Sequence, residues 1–175
     1  MSAWLLDHFG LAPLDREAVP PGGEVLRILY APTFHRGLVI VVRGFDDVAE
    51  LEVLEEEAPP QRVMIAVDEA AAMIARLPAS IDAFDRNSRD GIAAYAERWD
   101  GEALRIAEIG NPSASADAIA YQLLVAGLDL VDARLSTPRI RERVATLRRY
   151  LDDVDEAAAL CLPGQTRARR RRGRG

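Results

Sequence analysis

Residues 89–135 constrain the fold more than any other stretch, because two strand-like runs, a tight turn and the most apolar helical pattern of the chain follow one another there. Asp100-Gly101 separates the two runs, and a two-residue Asp-Gly loop favours the type I′ turn of a β-hairpin. Gly110-Asn111-Pro112-Ser113 ends the second run and starts the helix, because proline lacks a backbone donor and disfavours helix at the residue before it, while Ser113 can cap the first turn. The stretch therefore predicts a hairpin, a corner and a helix at about 114–135.

A two-residue loop would also fix the register of this hairpin, with Trp99 opposite Glu102 and Glu97 opposite Leu104. Alternate side chains of a strand share one face, so one face is aromatic with interspersed glutamates and the other is rich in alanine. We interpret the first face as a candidate partner-binding surface formed by Tyr95, Glu97, Trp99, Glu102 and Leu104. The alternative, which the usual burial of large apolar side chains favours, is that Tyr95, Trp99, Leu104 and Ile106 belong to the core and the glutamates lie near the rim.

The helix at 114–135 is apolar on two sides, which predicts burial on two sides. Asp129 and Asp132 interrupt its apolar run, which is too short for a membrane span. A last helix begins at Thr137-Pro138, since proline is tolerated in a first helical turn. Its apolar residues repeat at spacings of four and three, and we expect it to pack back on the preceding helix as a helical hairpin over residues 114–160.

Three strand-like runs precede the hairpin, at residues 24–31, 37–44 and 48–56. Their short connections predict an antiparallel meander. The middle run is apolar on both faces and should be an inner strand. The third ends in a run of glutamates, which suits a solvated or edge strand.

Residues 62–67 read as a further strand, followed by a short helix capped by Asp68, although a single helix over 61–77 fits the same periodicity. The prediction is therefore one α+β domain over residues 1–163, with a mostly antiparallel sheet of five or six strands covered by the C-terminal helical hairpin. Residues 164–175 form an Arg-rich tail that we expect to be flexible.

The charged residues exclude some kinds of catalytic site and favour one kind of partner. All 22 basic residues are arginine, which excludes a Schiff-base lysine and a P-loop lysine. Six of them lie in residues 167–175, so the rest of the chain has 16 arginines against 28 acidic residues, a net charge of −12. This excess of acidic residues favours a basic protein partner.

The absence of a basic, apolar leader and the single cysteine, Cys161, predict a cytoplasmic protein.

The sequence contains no recognisable catalytic or metal-binding set. Its two histidines, His8 and His35, are far apart, no dinucleotide or nucleophile-elbow motif occurs, and we expect neither a cofactor nor a metal. The leading hypothesis is a non-enzymatic binding protein of the immunity, inhibitor or adaptor kind. An enzyme that uses His35 with a carboxylate remains a further alternative, and the sequence does not decide the oligomeric state.

Arginine-rich segments supply the main alternative, a small nucleic-acid-associated regulator that contacts phosphates. Its candidate residues are Arg141, Arg148, Arg149, Arg169, Arg170, Arg171 and Arg172. Within the last helix, Arg148 and Asp152 have the spacing of an intrahelical ion pair.

The order of short motifs resembles that of small uncharacterised bacterial α+β proteins, some of them immunity-like. The motifs are Phe34-His35, Val42-Arg43, Arg89-Asp90-Gly91 and Asn111-Pro112-Ser113. The resemblance covers residues 24–135 and leaves out the last helix and the tail. It implies binding rather than catalysis, and it carries over no catalytic residues.

Overall fold

In the computed structural model, a single twisted sheet runs through the described part of the chain, which comprises residues 6–14, 19, 22–78, 83–84, 91–112, 118–135 and 137–152. The strands are β1 (Glu24–Pro32), β2 (Leu38–Phe45), β3 (Val48–Glu55), β4 (Gln61–Ile65), β5 (Ala83–Phe84), β6 (Ile92–Trp99) and β7 (Leu104–Gly110). Their order is β4-β3-β2-β1-β6-β7-β5, and all neighbours are antiparallel except the two-residue β5, which is parallel to β7. Six antiparallel strands thus confirm the predicted α+β class.

Three helices of defined bounds lie in the described ranges, α1 (Val67–Ile74), α2 (Ala118–Arg134) and α3 (Pro138–Asp152). They cover one face of the sheet, which we call the helix face, and the opposite face is the outer face. Ala94, Ala96 and Ala107 of the hairpin lie in the core between sheet and helices, as its pattern predicted. The predicted helical hairpin is confirmed as far as Asp152, and Pro138 is the first residue of its second helix.

The meander β1–β2–β3 and the inner position of β2 are confirmed, but β3 is not an edge strand. Its outward glutamates form ion pairs with arginines of the neighbouring strands. Arg43 on β2 contacts Glu50 at 3.1 Å and Glu52 at 2.7 Å, and Arg62 on β4 contacts Glu52 at 2.6 Å. Opposite charges on facing strands stabilise a sheet, so acidic residues here mark cross-strand pairing.

Residues 61–77 form a strand followed by a helix, so the alternative of one continuous helix is wrong. The predicted cap is also wrong, because the N-cap is Ala66, which makes no side-chain capping bond. Asp68 lies inside the first turn, where its Oδ1 accepts a hydrogen bond from the backbone N–H of Glu69 at 2.9 Å. Both acidic side chains lie near the positive end of the helix dipole, where they stabilise α1.

The β6–β7 hairpin has a four-residue loop instead of the predicted two-residue loop. Trp99 pairs with Leu104 and Glu97 pairs with Ile106, so the register differs by two residues from the prediction. A shift of two leaves every side chain on the same face of the sheet. The predicted faces are therefore right, and the predicted pairs are wrong.

Asp100 accounts for the wider loop. Its Oδ1 accepts hydrogen bonds from the backbone N–H groups of Glu102 at 3.3 Å and Ala103 at 3.0 Å, and Gly101 takes a positive φ of 90°. Such an aspartate-centred turn competes with the type I′ turn for the same Asp-Gly sequence. The Asp100 carboxylate also lies 2.9 Å from the guanidinium of Arg105, which ties the loop to β7.

The outer face is covered in its middle by part of the N-terminal segment. Residues 6–14, here called the strap, lie across β1, β2 and β6, and Val19 belongs to the same apolar cluster. Leu6 and Val19 are buried there, and Phe9, Leu11 and Leu14 are half-buried. The outer-face side chains beneath are Val25, Leu29, Val39, Val41, Tyr95 and Trp99.

Candidate functional site

The structure separates the five predicted partner-binding residues into two groups. Tyr95, Glu97 and Trp99 are 1%, 0% and 9% exposed, because the strap lies over them. Their prediction as a free binding surface is wrong. The core alternative is right for Tyr95 and Trp99, although Glu97 lies in the centre of the covered area and not at its rim. Glu102 and Leu104 remain exposed.

The covered group forms a buried polar cluster around Glu97. The hydroxyl of Tyr95 donates to Glu97 Oε1 at 2.8 Å, and the guanidinium of Arg27 on β1 forms an ion pair with Glu97 Oε2. Burial and the hydrogen bond to Glu97 raise the pKa of Tyr95 well above its ordinary value of 10.0, so this hydroxyl stays protonated and donates.

Both charged side chains of this cluster also bind the main chain of the strap. Arg27 Nη2 donates to the carbonyl of Ala12 at 2.8 Å, and the backbone N–H of Leu14 lies 3.4 Å from Glu97 Oε2. Arg27 was not predicted as part of a site, because β1 is apolar on both sides of it. Its position opposite Glu97 follows only from the pairing of β1 with β6, two strands far apart in the chain.

The exposed group forms what we call the β7 strip, made of Glu102, Leu104 and Ile106. Leu104 and Ile106 are 36% and 49% exposed and lie on the same face of one strand, two positions apart. Trp99 pairs with Leu104 and closes the inner side of the strip. The strip is thus apolar in its centre and acidic at its loop end, where Glu102 faces solvent.

The other acidic part of the outer face, on β3 and β4, is neutralised internally. Burial alone raises the pKa of Glu52, but hydrogen bonds from Arg62 and Arg43 outweigh that effect and hold the pKa below its ordinary value of 4.5. With Glu50 also bound by Arg43, this area has paired charges and offers a basic partner little unpaired negative charge.

Some arginines of α3 form ion pairs with other described residues, and some do not. Arg139 contacts Glu55 at 3.0 Å, and Arg148 contacts Asp129 on α2 at 2.7 Å, so the predicted Arg148–Asp152 pair is wrong. Asp152 instead accepts a hydrogen bond from Tyr121 at 2.7 Å. The cause is the close packing of α2 against α3, which brings acids of one helix to the arginines of the other.

Two of the predicted nucleic-acid contacts, Arg141 and Arg149, are exposed. Among the residues that the structure describes, neither has an acidic partner. A third candidate, Arg148, is paired with Asp129, and the other four, Arg169, Arg170, Arg171 and Arg172, lie outside the described residues.

His35 lies in the exposed β1–β2 turn, and its Nδ1 is 2.7 Å from the hydroxyl of the buried Tyr150. The two rings meet edge to face, with centroids 5.5 Å apart. Its side-chain neighbour is therefore a tyrosine on α3 and not the carboxylate that the enzyme alternative requires. His8 is bound separately, to Glu56 at 3.0 Å.

Within the described ranges, no three His, Cys, Asp or Glu side chains are grouped as metal ligands would be. No helix in that same part of the chain has the length and apolarity needed to cross a membrane. A cavity of about 340 Å³ lies between α1 and α2. Its acidic wall residues, Glu69 and Asp129, are held by Arg134 at 2.6 Å and by Arg148, so its two carboxylates are paired.

Comparison with protein-family models, with curated proteins and with solved structures finds no significant match to this chain. Two surfaces of the outer face, the β7 strip and the area beneath the strap, have the geometry of candidate binding sites.

Proposed function

We propose that the protein is a non-enzymatic binding protein that recognises a basic protein partner through the β7 strip. The observation that carries the proposal is the pair of exposed side chains Leu104 and Ile106, which lie side by side on one strand. Neighbouring apolar side chains on a sheet face, rimmed by acidic residues, are typical of protein-interaction sites. An immunity, inhibitor or adaptor role is the finer form of this proposal.

Electrostatics support a basic partner. The chain outside residues 167–175 has a net charge of −12, and Glu102 at the end of the strip is exposed. Complementary charge at the rim of an interface accelerates association, while the apolar centre supplies most of the affinity. The β7 strip combines both features.

The first test places a photo-crosslinking amino acid at Ile106 of the full-length protein in its native cells. The matched control carries the same amino acid at Ile119, an isoleucine of α2 that is 60% exposed on the helix side of the molecule. We expect one basic protein to be crosslinked from position 106 and not from position 119. Identical crosslinks from the two positions would mean that the strip has no special role.

The second test measures the affinity of the purified partner for Ile106→Glu and Ile119→Glu variants. A charge in the centre of the strip should weaken binding at least tenfold, since it leaves a desolvated carboxylate against apolar surface. The Ile119→Glu variant should bind like the wild type. Circular dichroism of both variants checks that the fold is intact, and unchanged affinity of a folded Ile106→Glu variant would refute the proposal.

A second candidate function, weak nucleic-acid binding, is favoured by the exposed Arg141 and Arg149 on α3. Phosphate contacts of this kind lose affinity steeply with salt. Fluorescence anisotropy with a labelled oligonucleotide should then show a smaller salt dependence for an Arg141→Glu/Arg149→Glu variant and for a chain ending at Pro163. Equal binding by all three proteins would remove this candidate.

A further inference from the structure

The area beneath the strap has the construction of a peptide-binding groove. Its walls are apolar side chains of β1, β2 and β6, and residues 6–14 lie across them with three half-buried side chains, those of Phe9, Leu11 and Leu14. Ala12 and Pro13 between them are exposed. In the described residues 9–14 the strap has neither helix nor strand, so it lies on the sheet without joining it.

Two charged side chains at the floor of this groove bind the backbone of the strap. Arg27 donates to the carbonyl of Ala12 at 2.8 Å, and Glu97 faces the backbone N–H of Leu14 at 3.4 Å. A carbonyl and an N–H two residues apart are present in almost any extended segment. Main-chain contacts of this kind give affinity, and the apolar positions alongside give specificity.

A buried ion pair is unusual in a surface whose only role is to pack against another segment of the chain. Arg27 and Glu97 are 7% and 0% exposed, and Arg27 Nε has no hydrogen-bond partner among the described residues. Replacing a buried ion pair by well-packed apolar side chains is often neutral or stabilising. The pair is therefore poorly explained by stability alone, whereas it is well placed to recognise a peptide backbone.

We propose that this groove binds an extended apolar segment of a partner protein, and that residues 6–14 occupy it as an intramolecular competitor. The partner segment would present a carbonyl to Arg27, an N–H to Glu97 two residues later, and apolar side chains in the places of Phe9, Leu11 and Leu14. The proline at position 13 is compatible with this geometry, because the floor makes no use of an N–H there.

The groove extends the proposed function to a second surface of the same outer face. Trp99 belongs to the groove and pairs with Leu104 of the β7 strip, so one partner can reach both areas. The experiment below does not involve Leu104 or Ile106. Its failure would leave the β7 strip unaffected, and failure of the strip would leave the groove unaffected.

The test adds a fluorescein-labelled peptide with the sequence of residues 6–14 to the full-length protein and measures anisotropy. The wild type is compared with a Phe9→Ser/Leu11→Ser variant, whose own strap is weakened at two half-buried positions. We expect the variant to bind the peptide at least tenfold more tightly than the wild type, since its groove is more often open. A scrambled peptide should not bind.

Two further comparisons test the main-chain contacts. Glu97→Gln in the weakened variant should lower peptide affinity several-fold, and so should N-methylation of the peptide at the leucine equivalent to Leu14. No peptide binding by a folded weakened variant would overturn the proposal. If that variant and a milder Leu14→Ala variant both lose cooperative unfolding, the strap is part of the core, which also overturns it. Concentration-dependent dimers by light scattering would identify a second copy as the occupant and overturn the partner assignment.

Discussion

The hydroxyl of Tyr30 occupies the space that a side chain at position 127 would need. A Cβ added to Gly127 of α2 would lie 2.5 Å from Tyr30 Oη, which donates a hydrogen bond to the carbonyl of Leu124 at 2.8 Å. Alanine favours a helix over glycine by about 1 kcal/mol, but overpacking a filled core costs about 1–3 kcal/mol. We therefore expect Gly127→Ala to lower the free energy of unfolding, measured in urea, by up to about 2 kcal/mol, the difference of these two effects.

The same contact makes a specific control possible. Tyr30→Phe removes the oxygen that the new methyl group would meet, so Gly127→Ala should cost less in that background than in the wild type. Two side-chain atoms of Ile28 and Ile40 at 3.3 Å would then be the remaining close contacts. An equal cost in both backgrounds would show that the hydroxyl is not what excludes a side chain at position 127.

We predict that removing either charge of the buried Arg27–Glu97 pair alone strongly destabilises the fold. Glu97→Gln leaves the Arg27 guanidinium buried without a counter-charge, and Arg27→Met leaves the Glu97 carboxylate in the same state. Breaking a buried pair on one side typically costs about 3–5 kcal/mol. We expect each single variant to show a loss of that order in urea unfolding.

The Arg27→Met/Glu97→Gln double variant should be more stable than either single variant, because both charges are removed and the glutamine still accepts from Tyr95. The exposed pair Arg36–Glu57, with side chains 49% and 74% exposed, is the comparison, and its disruption should have little effect. A double variant as unstable as the sum of the single variants would argue against coupling across the pair.

The sequence predicted the fold class and the two faces of the hairpin, since both follow from local apolar periodicity. It did not predict the loop of that hairpin, because the Asp100 side chain competes with the type I′ turn. It left open whether Tyr95 and Trp99 belong to the core, and it did not predict that Glu97 is covered. That outcome depends on the strap, whose residues 9–14 lie on the sheet without forming a helix or a strand.

The ion pairs were the least predictable part of the site. Arg148 has Asp152 four residues away in the sequence, yet it binds Asp129 of the neighbouring helix. Arg27 and Glu97 meet only because β1 and β6 are neighbours in the sheet, which no local pattern shows. Leu104 and Glu102 remained exposed as predicted because they lie beyond the reach of the described strap.

Glu52 should make the stability of the sheet depend on pH. Its carboxyl is 5% exposed, and its pKa lies below 4.5 because hydrogen bonds from Arg62 and Arg43 outweigh the effect of burial. A lowered folded-state pKa gives a stabilisation that is complete above the unfolded-state pKa and is lost as pH falls through the folded-state value. We expect the wild type to lose more stability than Glu52→Gln between pH 7 and pH 3.

Urea unfolding at several pH values measures this difference directly. The two proteins should differ most near neutral pH and converge in acid, where Glu52 becomes protonated and resembles glutamine. The outcome that would contradict this is a constant difference across the whole pH range, since it would assign the effect of the substitution to packing and not to charge.

Glu102 should control the rate at which a basic partner reaches the β7 strip. Charge reversal at the rim of an interface mainly changes the association rate and its salt dependence. We expect Glu102→Arg to slow association several-fold at low salt, with the difference disappearing at high salt, where the charges are screened. Stopped-flow mixing with the partner identified from position 106 measures the association rate at low and at high salt.

Glu142→Arg is the matched control, because Glu142 is exposed on α3 and its reversal changes the net charge equally. A control that slows association as much as Glu102→Arg would mean that net charge, and not the position of Glu102 beside Leu104, attracts the partner.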